Sequence, residues 1–239
     1  MTDSSKEGEE GEVIKETDEK DIYTIKFNDG SEEGWQAITV GTGANMRSIF
    51  IIDLDADGDL DIIAADVTDS DIEWYENNGA ADPSFTAHNI TTSAVYAHDV
   101  YAADMDNDGD MDIVSASYED DTIAWYENDG SENFTAHPIT SSADYPRSVY
   151  ATDVDSDGDM DVLSASKDDD KIAWYENDGS ESFTEHVIST SADGARIVHA
   201  ADMDGDGDMD VLSTSWYDHT VAWYENDGSE SFTEHAIST

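Results

Sequence analysis

An acidic phrase of nine residues recurs four times in this chain, and its spacing limits the folds available to the chain. The phrase reads DLDADGDLD from residue 53, DMDNDGDMD from 104, DVDSDGDMD from 153 and DMDGDGDMD from 202. The first aspartates are separated by 51, 49 and 49 residues, a period typical of solenoids, propellers and other arrays. The spacing therefore predicts a fold built from consecutive copies of one supersecondary unit.

Each unit contains four short apolar segments separated by turn residues. One segment precedes the acidic phrase, and three follow it, with sequences such as IVSAS, IAWYEN and FTAHPI. Val, Ile, Tyr, Trp and Thr are frequent in these segments, and Asn-Asp-Gly turns separate them, as is typical of β-strands. No segment keeps a helical period. The sequence predicts an all-β protein with four strands per unit.

The tryptophan segment carries bulky side chains on both of its faces. Ile123 and Trp125 share one face of this strand, while Tyr126 lies on the other. A sheet covered on both faces and repeated around an axis is the arrangement of a β-propeller of four-stranded blades. The tryptophans could instead be platforms for stacking sugars, but their regular interior position favours packing between blades.

The repeat divides residues 13–239 into about five units of one propeller domain, and the first unit is incomplete. Residues 13–40 align with the second, third and fourth strands of a unit, without the innermost strand and the acidic phrase. Residues 1–12 are acidic and poor in apolar side chains, so we expect a loosely ordered segment there. The missing innermost strand would leave an unpaired edge in the first unit. This edge would be covered by self-association, or it would remain open because the chain is a segment of a longer protein. The expected units are about 13–44, 45–95, 96–144, 145–193 and 194–239.

The spacing of carboxylates in the acidic phrase is that of a metal-binding loop. Carboxylates at positions 1, 3, 5 and 9, with glycine at position 6, bring side-chain oxygens and the carbonyl of position 7 to one point. That number of oxygen ligands selects calcium over magnesium. An EF-hand loop requires glutamate at position 12. Position 12 here is Ala64, Ser115, Ser164 and Ser213.

An Asp-x-Asp-x-Asp-Gly-x-x-Asp loop within a strand repeat of about 50 residues resembles the FG-GAP/VCBS repeat family. The family includes the calcium-loop blades of integrin α-subunit propellers and of many bacterial surface proteins. The resemblance implies four calcium ions, with the seventh residue of each loop contributing its backbone carbonyl. The letters of the FG-GAP core motif are absent, which favours the VCBS branch. The implied ligands are Asp53, Asp55, Asp57, Asp59 and Asp61; Asp104, Asp106, Asp108, Asp110 and Asp112; Asp153, Asp155, Asp157, Asp159 and Asp161; and Asp202, Asp204, Asp206, Asp208 and Asp210.

The charge of the chain limits its partners and surroundings. With 59 acidic and nine basic residues, the formal net charge is −50, which makes nucleic acid an unsuitable partner. The chain is 38% apolar, enough to form a core, and no apolar run approaches the length of a membrane span. Calcium-dependent loops predict an extracellular or cell-surface protein, although the chain does not open with a signal peptide.

A row of basic residues also follows the repeat. Six residues before each first aspartate stands an arginine or a histidine, and the four are Arg47, His98, Arg147 and Arg196. Propeller order places these residues around one mouth of the central channel. Either each pairs with a neighbouring acidic loop, or together they bind an anion or an acidic glycan.

No constellation of residues indicates catalysis, so the sequence predicts a protein that is not an enzyme. The chain lacks cysteine, and its serines lie in repeated strands without a nucleophile elbow. Histidine recurs once per unit in the outer strand, which favours a structural role. These histidines are His88, His137, His186 and His235.

The leading functional hypothesis is a noncatalytic extracellular module, stabilised by calcium, that binds a carbohydrate or a protein surface in adhesion. A structural building block of a fibre or surface assembly is the first alternative. An accessory propeller of a larger enzyme is the second.

Overall fold

The computed structural model describes residues 21–28, 35–43, 45–80 and 83–238, and within 21–43 it describes side chains only at Val40 and Gly41. All regular structure in these ranges is β-strand. The all-β prediction is confirmed for them. Correspondingly, these ranges hold no helix of the length and apolarity that a membrane span requires.

Sixteen of the strands form four antiparallel sheets, and within each sheet every strand pairs with the next one in the chain. The first sheet consists of β3 (Met46–Ile52), β4 (Asp61–Asp66), β5 (Asp71–Asn77) and β6 (Phe85–Thr91). The second consists of β7 (Ala97–Ala103), β8 (Asp112–Ser117), β9 (Thr122–Asn128) and β10 (Phe134–Thr140). The third consists of β11 (Pro146–Thr152), β12 (Asp161–Ser166), β13 (Lys171–Asn177) and β14 (Phe183–Ser189). The fourth consists of β15 (Ala195–Ala201), β16 (Asp210–Ser215), β17 (Val221–Asn226) and β18 (Phe232–Ser238).

Two further strands precede these sheets. β1 (Asp21–Asn28) and β2 (Trp35–Gly43) form an antiparallel pair and correspond to the third and fourth strands of a repeat unit. Val40 in β2 packs against the first sheet. The predicted second strand of this incomplete unit, within 13–20, and the predicted loose segment 1–12 both lie outside the described residues.

Neighbouring sheets pack face to face, and each interface repeats the same pair of aromatic residues. Trp74 of the first sheet and Tyr126 of the second are buried in one core cluster. Trp125 and Tyr175 occupy the next cluster, and Trp174 and Tyr224 the one after it. Each tryptophan of these pairs is about 1% exposed. The prediction that the tryptophan strand is covered on both faces holds for these sheets.

The first strands of the four sheets lie side by side. β3 contacts β7, β7 contacts β11, and β11 contacts β15. These are the strands that the sequence places innermost. Their pairing with the second strands also repeats, because the register shifts by one residue at the beginning of every first strand. Such a β-bulge leaves one residue unpaired and redirects its side chain.

The fourth sheet presents one face that the described residues do not cover. Val221 is 36% exposed, whereas its counterpart Ile172 in the third sheet is fully buried. Ile237 is 58% exposed, and Trp223 is only partly buried. We call the face formed by Leu212, Val221, Trp223 and Ile237 the outward face. It presents the residue types that the other sheets bury against their successors.

Candidate functional sites

Each acidic loop connects the first and second strands of a sheet, and all four loops have the same backbone shape. The sixth residue is a glycine with φ between 98° and 103°, at Gly58, Gly109, Gly158 and Gly207. This left-handed backbone is readily adopted only by glycine. The fourth residue is also left-handed, at Ala56, Asn107, Ser156 and Gly205. The repeated glycine of the sequence therefore has a conformational cause.

Hydrogen bonds within the loop turn its carboxylates toward one another. In the first loop the backbone N–H of Gly58 donates to Oδ2 of Asp53 over 3.0 Å, and that of Asp57 donates to Oδ1 of Asp55 over 3.1 Å. The other three loops repeat both bonds. These bonds hold the carboxylates of positions 1 and 3 in place within each loop.

Three carboxylates in each loop place one oxygen each within 4.8 Å of the others. The structure thus brings together the predicted residues of positions 1, 3 and 5 in three loops, and those of positions 1, 3 and 9 in the third loop. The clusters are Asp53, Asp55 and Asp57; Asp104, Asp106 and Asp108; Asp153, Asp155 and Asp161; and Asp202, Asp204 and Asp206.

The residues of these clusters fit a hard cation. Oδ1 of Asp53 and Oδ1 of Asp104 are both buried without a hydrogen-bond partner. A buried carboxylate oxygen without a partner is costly, and a coordinated cation removes that cost. The donors around it are all oxygens, which is the ligand type that calcium prefers.

The aspartate at position 9 connects its loop to the rest of the sheet. Asp161 is fully buried. Its Oδ2 accepts the backbone N–H of Val154 and its Oδ1 accepts that of Asn177, both over 2.8 Å. Asp61, Asp112 and Asp210 make the same two bonds. The spacing of the sequence predicts only a metal-binding role for this position, whereas the structure also gives it a role in holding the loop.

The asparagine that begins each Asn-Asp-Gly or Asn-Asn-Gly turn was not among the predicted site residues. Its side-chain amide donates to the backbone carbonyl that precedes the ninth aspartate, as from Asn128 to Met111 over 3.2 Å. The recurrence of this asparagine 16 residues after each ninth aspartate is the sequence signal that could have identified it.

The aspartate at position 7 turns its side chain away from the loop centre. The carboxylate of Asp110 lies against Gly130, a residue with φ of 69°, where an added Cβ would collide with it. Asp59, Asp159 and Asp208 lie in the same way against Gly79, Gly179 and Gly228. This orientation agrees with the expectation that position 7 contributes only its backbone carbonyl.

Burial raises the pKa of several loop carboxylates. Desolvation raises the pKa of Asp112 to about 6 and that of Asp161 to about 7, although both accept backbone N–H groups that act in the opposite direction. Neighbouring aspartates raise both pKa values further. Desolvation also raises the pKa of Asp55, Asp106 and Asp155 at position 3. The loops are therefore sites where negative charge is unfavourable until a cation compensates it.

The four basic residues predicted at the channel mouth occupy the β-bulges of the inner strands. Met46 pairs with Asp66 and Ser48 with Ala65, which leaves Arg47 as the extra residue. The same shift leaves His98, Arg147 and Arg196 unpaired in their strands. They lie at the beginning of the inner strands, and the acidic loops follow the end of the same strands. We call the region around these four side chains the basic mouth.

The side chains of the basic mouth contact one another across neighbouring sheets. Nε of Arg47 and Nη1 of Arg147 both lie 3.2 Å from Nε2 of His98. The guanidinium of Arg147 lies 4.8 Å from the ring centre of Tyr118, and that of Arg196 lies 4.6 Å from that of Trp216. The structure thus joins three of the four predicted residues directly and places Arg196 against an exposed tryptophan.

The aromatic residues around the basic mouth were not predicted as site residues. The position directly after the second strand varies between units, whereas the surrounding sequence hardly changes. It is occupied by Tyr118, Lys167 and Trp216 in the second, third and fourth sheets. Tyr118 lies 5.6 Å from Tyr96 and 4.5 Å from Tyr145, between ring centres. A variable position within an otherwise constant repeat was the signal that could have identified them.

The recurring histidines make the same contact in every sheet, away from the acidic loops and the basic mouth. The ring of His137 stacks on Trp125 at 4.7 Å between ring centres, and its Nε2 lies 2.7 Å from a carboxylate oxygen of Glu127. His88, His186 and His235 make the equivalent contacts. These contacts agree with the structural role that their recurrence predicts.

Together, the sheets and loops define an all-β repeat protein with one acidic loop per complete unit. The model of the FG-GAP-like repeat matches this chain three times, at residues 53–115, 104–164 and 153–213. These matches cover well over half of the 239 residues. The chain belongs to the FG-GAP-like repeat family. No curated protein sequence matches it significantly.

Several solved structures share the fold at low sequence identity. A protein from Lactobacillus plantarum has a TM-score of 0.62 at 14% identity, over 93% of this chain and 63% of its own. A putative 6-phosphogluconolactonase from Bacteroides uniformis has a TM-score of 0.59 at 10% identity, over 90% and 66%. Virginiamycin B lyase from Staphylococcus aureus has a TM-score of 0.58 at 15% identity, over 92% and 64%. This chain spans less than two thirds of the length of each.

Proposed function

We propose that this protein is a noncatalytic β-propeller module, stabilised by calcium, that binds a carbohydrate or a protein surface outside the cell or at its surface. The observation that carries the proposal is the backbone shape that the four acidic loops share, together with the carboxylate cluster in each of them. In each loop three carboxylates converge, and in two loops a buried carboxylate oxygen has no partner. Four calcium ions are the simplest set of cations that satisfies these loops.

Calcium bound in the loops would also stabilise the folded protein. At millimolar calcium and a dissociation constant of about 0.1 mM, each site contributes roughly 1.4 kcal/mol to the free energy of unfolding. Four independent sites contribute about 6 kcal/mol, which is comparable with the stability of a whole domain. Such dependence suits a protein that works where calcium is millimolar. FG-GAP repeats are commonly extracellular, which supports the same location.

The propeller arrangement is proposed from the order of the sheets. The four inner strands lie side by side, and each interface buries a tryptophan against a tyrosine of the following sheet. A constant rotation from sheet to sheet generates an arc around an axis, and the inner strands lie nearest to that axis. The acidic loops then lie at one end of the axis and the basic mouth at the other.

A binding role is proposed in preference to catalysis because the repeated polar residues already have partners. The outer-strand histidines are held between tryptophan and glutamate, and the loop aspartates are turned toward a cation site. The basic mouth, in contrast, combines guanidinium groups with aromatic rings at the surface. Such a surface is suited to recognition.

A calcium titration followed by thermal unfolding tests the proposal. Calcium should raise the melting temperature of the protein, and Asp57→Ala should reduce the increase by removing one site. Glu119→Ala is the matched control, because it removes one exposed carboxylate outside the acidic loops. A melting temperature that does not change with millimolar calcium contradicts the proposal.

The outward face favours a second candidate function, a building block that joins other copies end to end. In the three internal interfaces, the counterparts of Trp223 and Leu212 are covered by the next sheet. β2 already packs on the corresponding face of the first sheet, so a second copy would cover the outward face with its incomplete first unit. Such head-to-tail contacts form rings or filaments. Sedimentation of the protein and of Trp223→Glu tests this, since the substitution should abolish any assembly while Trp216→Glu, at the basic mouth, should not.

A further inference from the structure

Among the described residues, the arginines of the basic mouth have no carboxylate partners, although acidic residues outnumber basic ones in the sequence by 59 to nine. In the described part of the chain, every ion pair within 4.0 Å involves Lys167, Lys171 or an outer-strand histidine, and none involves an arginine. The expectation that each arginine pairs with a neighbouring acidic loop therefore does not hold. The strands keep the basic side chains at one end and the acidic loops at the other, about 20 Å apart for six steps of a strand.

Two guanidinium groups instead converge on one neutral acceptor. Nδ1 of His98 lies 2.9 Å from the backbone carbonyl of Arg147, so this nitrogen carries the proton and donates it. Nε2 is then the acceptor for Nε–H of Arg47 and Nη1–H of Arg147. Burial and the two arginines lower the pKa of His98 to about 4, so the ring is neutral at pH 7. No carboxylate of the residues that the structure describes lies within 4.0 Å of the positive charges of Arg47 and Arg147.

The geometry of the mouth leaves this charge available to a ligand. Each basic residue occupies a β-bulge, and bulges beside binding sites redirect side chains. Nε of Arg147 is buried without a hydrogen-bond partner. Arg47, His98 and Arg147 line a cavity together with Tyr96 and Tyr118. A carboxylate or sulfate placed there would accept from guanidinium donors and reduce their mutual repulsion.

The surroundings of the cavity favour a carbohydrate as the carrier of the anion. Trp216 is 59% and Tyr217 56% exposed, and with the tyrosines beside His98 they provide aromatic faces for the apolar faces of sugar rings. An extended polyanion, such as nucleic acid or a strongly acidic protein, would be repelled by the net charge of −50. A short oligosaccharide with one charge per residue brings only a few charges to the site.

We infer that the basic mouth binds the carboxylate or sulfate group of an acidic carbohydrate through Arg47 and Arg147, with Arg196 and the surrounding aromatic residues contacting the adjoining sugars. The inference rests on the proposed binding function and names its ligand class.

Calorimetry on the calcium-loaded protein tests the inference with three probes. These are trigalacturonic acid, its uncharged methyl ester and a trisaccharide sulfate. The acid, the sulfate or both should bind, and the ester should bind at least roughly tenfold more weakly, because charge-assisted hydrogen bonds are about twice as strong as neutral ones. The anion that binds with the higher affinity identifies the group that the site prefers. In NMR spectra, the bound anion should shift the imidazole resonances of His98.

Variants separate a specific site from general attraction. Arg47→Gln with Arg147→Gln should weaken binding at least about tenfold, whereas Arg47→Lys with Arg147→Lys should retain part of it, because lysine keeps the charge without the planar fork. Lys171→Gln is the control, since it removes one positive charge that already pairs with Asp169 and Glu185. If the double glutamine variant does not fold, Arg47→Gln alone serves, because Arg47 is exposed.

Several results would overturn the inference. They are no saturable binding of either anion at millimolar concentration, equal losses in Lys171→Gln and the mouth variants, or binding of a triglutamate peptide without either sugar. Calcium bound by the same samples is measured in parallel. Calcium binding without anion binding overturns only this inference, whereas absent calcium binding overturns the proposed function independently.

Discussion

The backbone N–H of Asn177 donates to Oδ1 of Asp161 over 2.8 Å, which joins the third acidic loop to the end of β13. The same carboxylate accepts the N–H of Val154 through its other oxygen. One buried side chain therefore connects three segments of the sheet. Its loss has consequences for stability that do not depend on calcium.

We predict that Asp161→Asn destabilises the protein both with and without calcium. An asparagine amide offers one acceptor and two donors, so one backbone N–H loses its partner. The expected loss is about 1 to 3 kcal/mol in the free energy of unfolding. Asp155→Asn, at position 3 of the same loop and in the same cluster, should lose stability only in calcium. Urea unfolding in calcium and in chelator measures both, and equal behaviour of the two variants would contradict the connecting role.

Without calcium, acidification from pH 7 toward pH 5 should stabilise the protein. Burial raises the pKa of Asp112 to about 6 and that of Asp161 to about 7 in the folded state. Between the unfolded value of about 3.8 and these values, the folded state binds more protons than the unfolded one. Stability therefore falls as pH rises through this window. Melting temperatures in chelator from pH 4.5 to 7.5 measure the effect.

Calcium should reverse this dependence, because it replaces protons at the loop carboxylates. The increase in melting temperature that calcium produces should be larger at pH 7.5 than at pH 5. If the calcium effect did not depend on pH, calcium would not be displacing protons from these carboxylates.

We expect His137→Ala to destabilise the protein modestly. The substitution removes the stacking on Trp125 and the contact with Glu127. Aromatic pairs contribute about 0.5 to 1.5 kcal/mol, and partly exposed ion pairs contribute about 0.2 to 1 kcal/mol. The total is about 1 to 2 kcal/mol in denaturant unfolding. A loss of all folded protein in this variant would disagree with a merely structural contact at the sheet surface.

Two tryptophans at equivalent positions should respond differently to truncation. Trp125 is about 1% exposed between two sheets, and Trp125→Ala should cost about 3 to 5 kcal/mol in stability. Trp223 is only partly buried on the outward face, so Trp223→Ala should cost less in the dilute protein. Unfolding curves at two protein concentrations measure this. If Trp223→Ala cost as much stability as Trp125→Ala at both concentrations, another segment would have to cover the outward face.

The sequence predicted those features that follow from its period. The four-stranded units, the inward position of the tryptophans and the loops from Asp53 and its counterparts all follow from repeated spacing. A period places equivalent residues at equivalent sites, so one correct unit gives all four. The β-bulges that carry Arg47 and Arg147 could not be predicted, because a register shift depends on the pairing strand.

The contacts between units could not be predicted from the sequence either. The convergence of Arg47 and Arg147 on His98 joins three sheets, and lateral neighbours depend on how far each sheet rotates relative to the next. The double role of Asp161 was hidden for another reason. An aspartate with metal-ligand spacing and one that accepts backbone N–H groups look the same in a sequence.

The number of calcium ions bound per chain tests the central claim most directly. Equilibrium dialysis at millimolar calcium should give four ions for the natural sequence, because four loops share one geometry. Asp57→Ala should give three, because it removes one member of the first cluster, and Glu119→Ala should still give four. A protein that binds no calcium under these conditions, or that keeps four ions after Asp57→Ala, would contradict the assignment of the acidic loops as calcium sites.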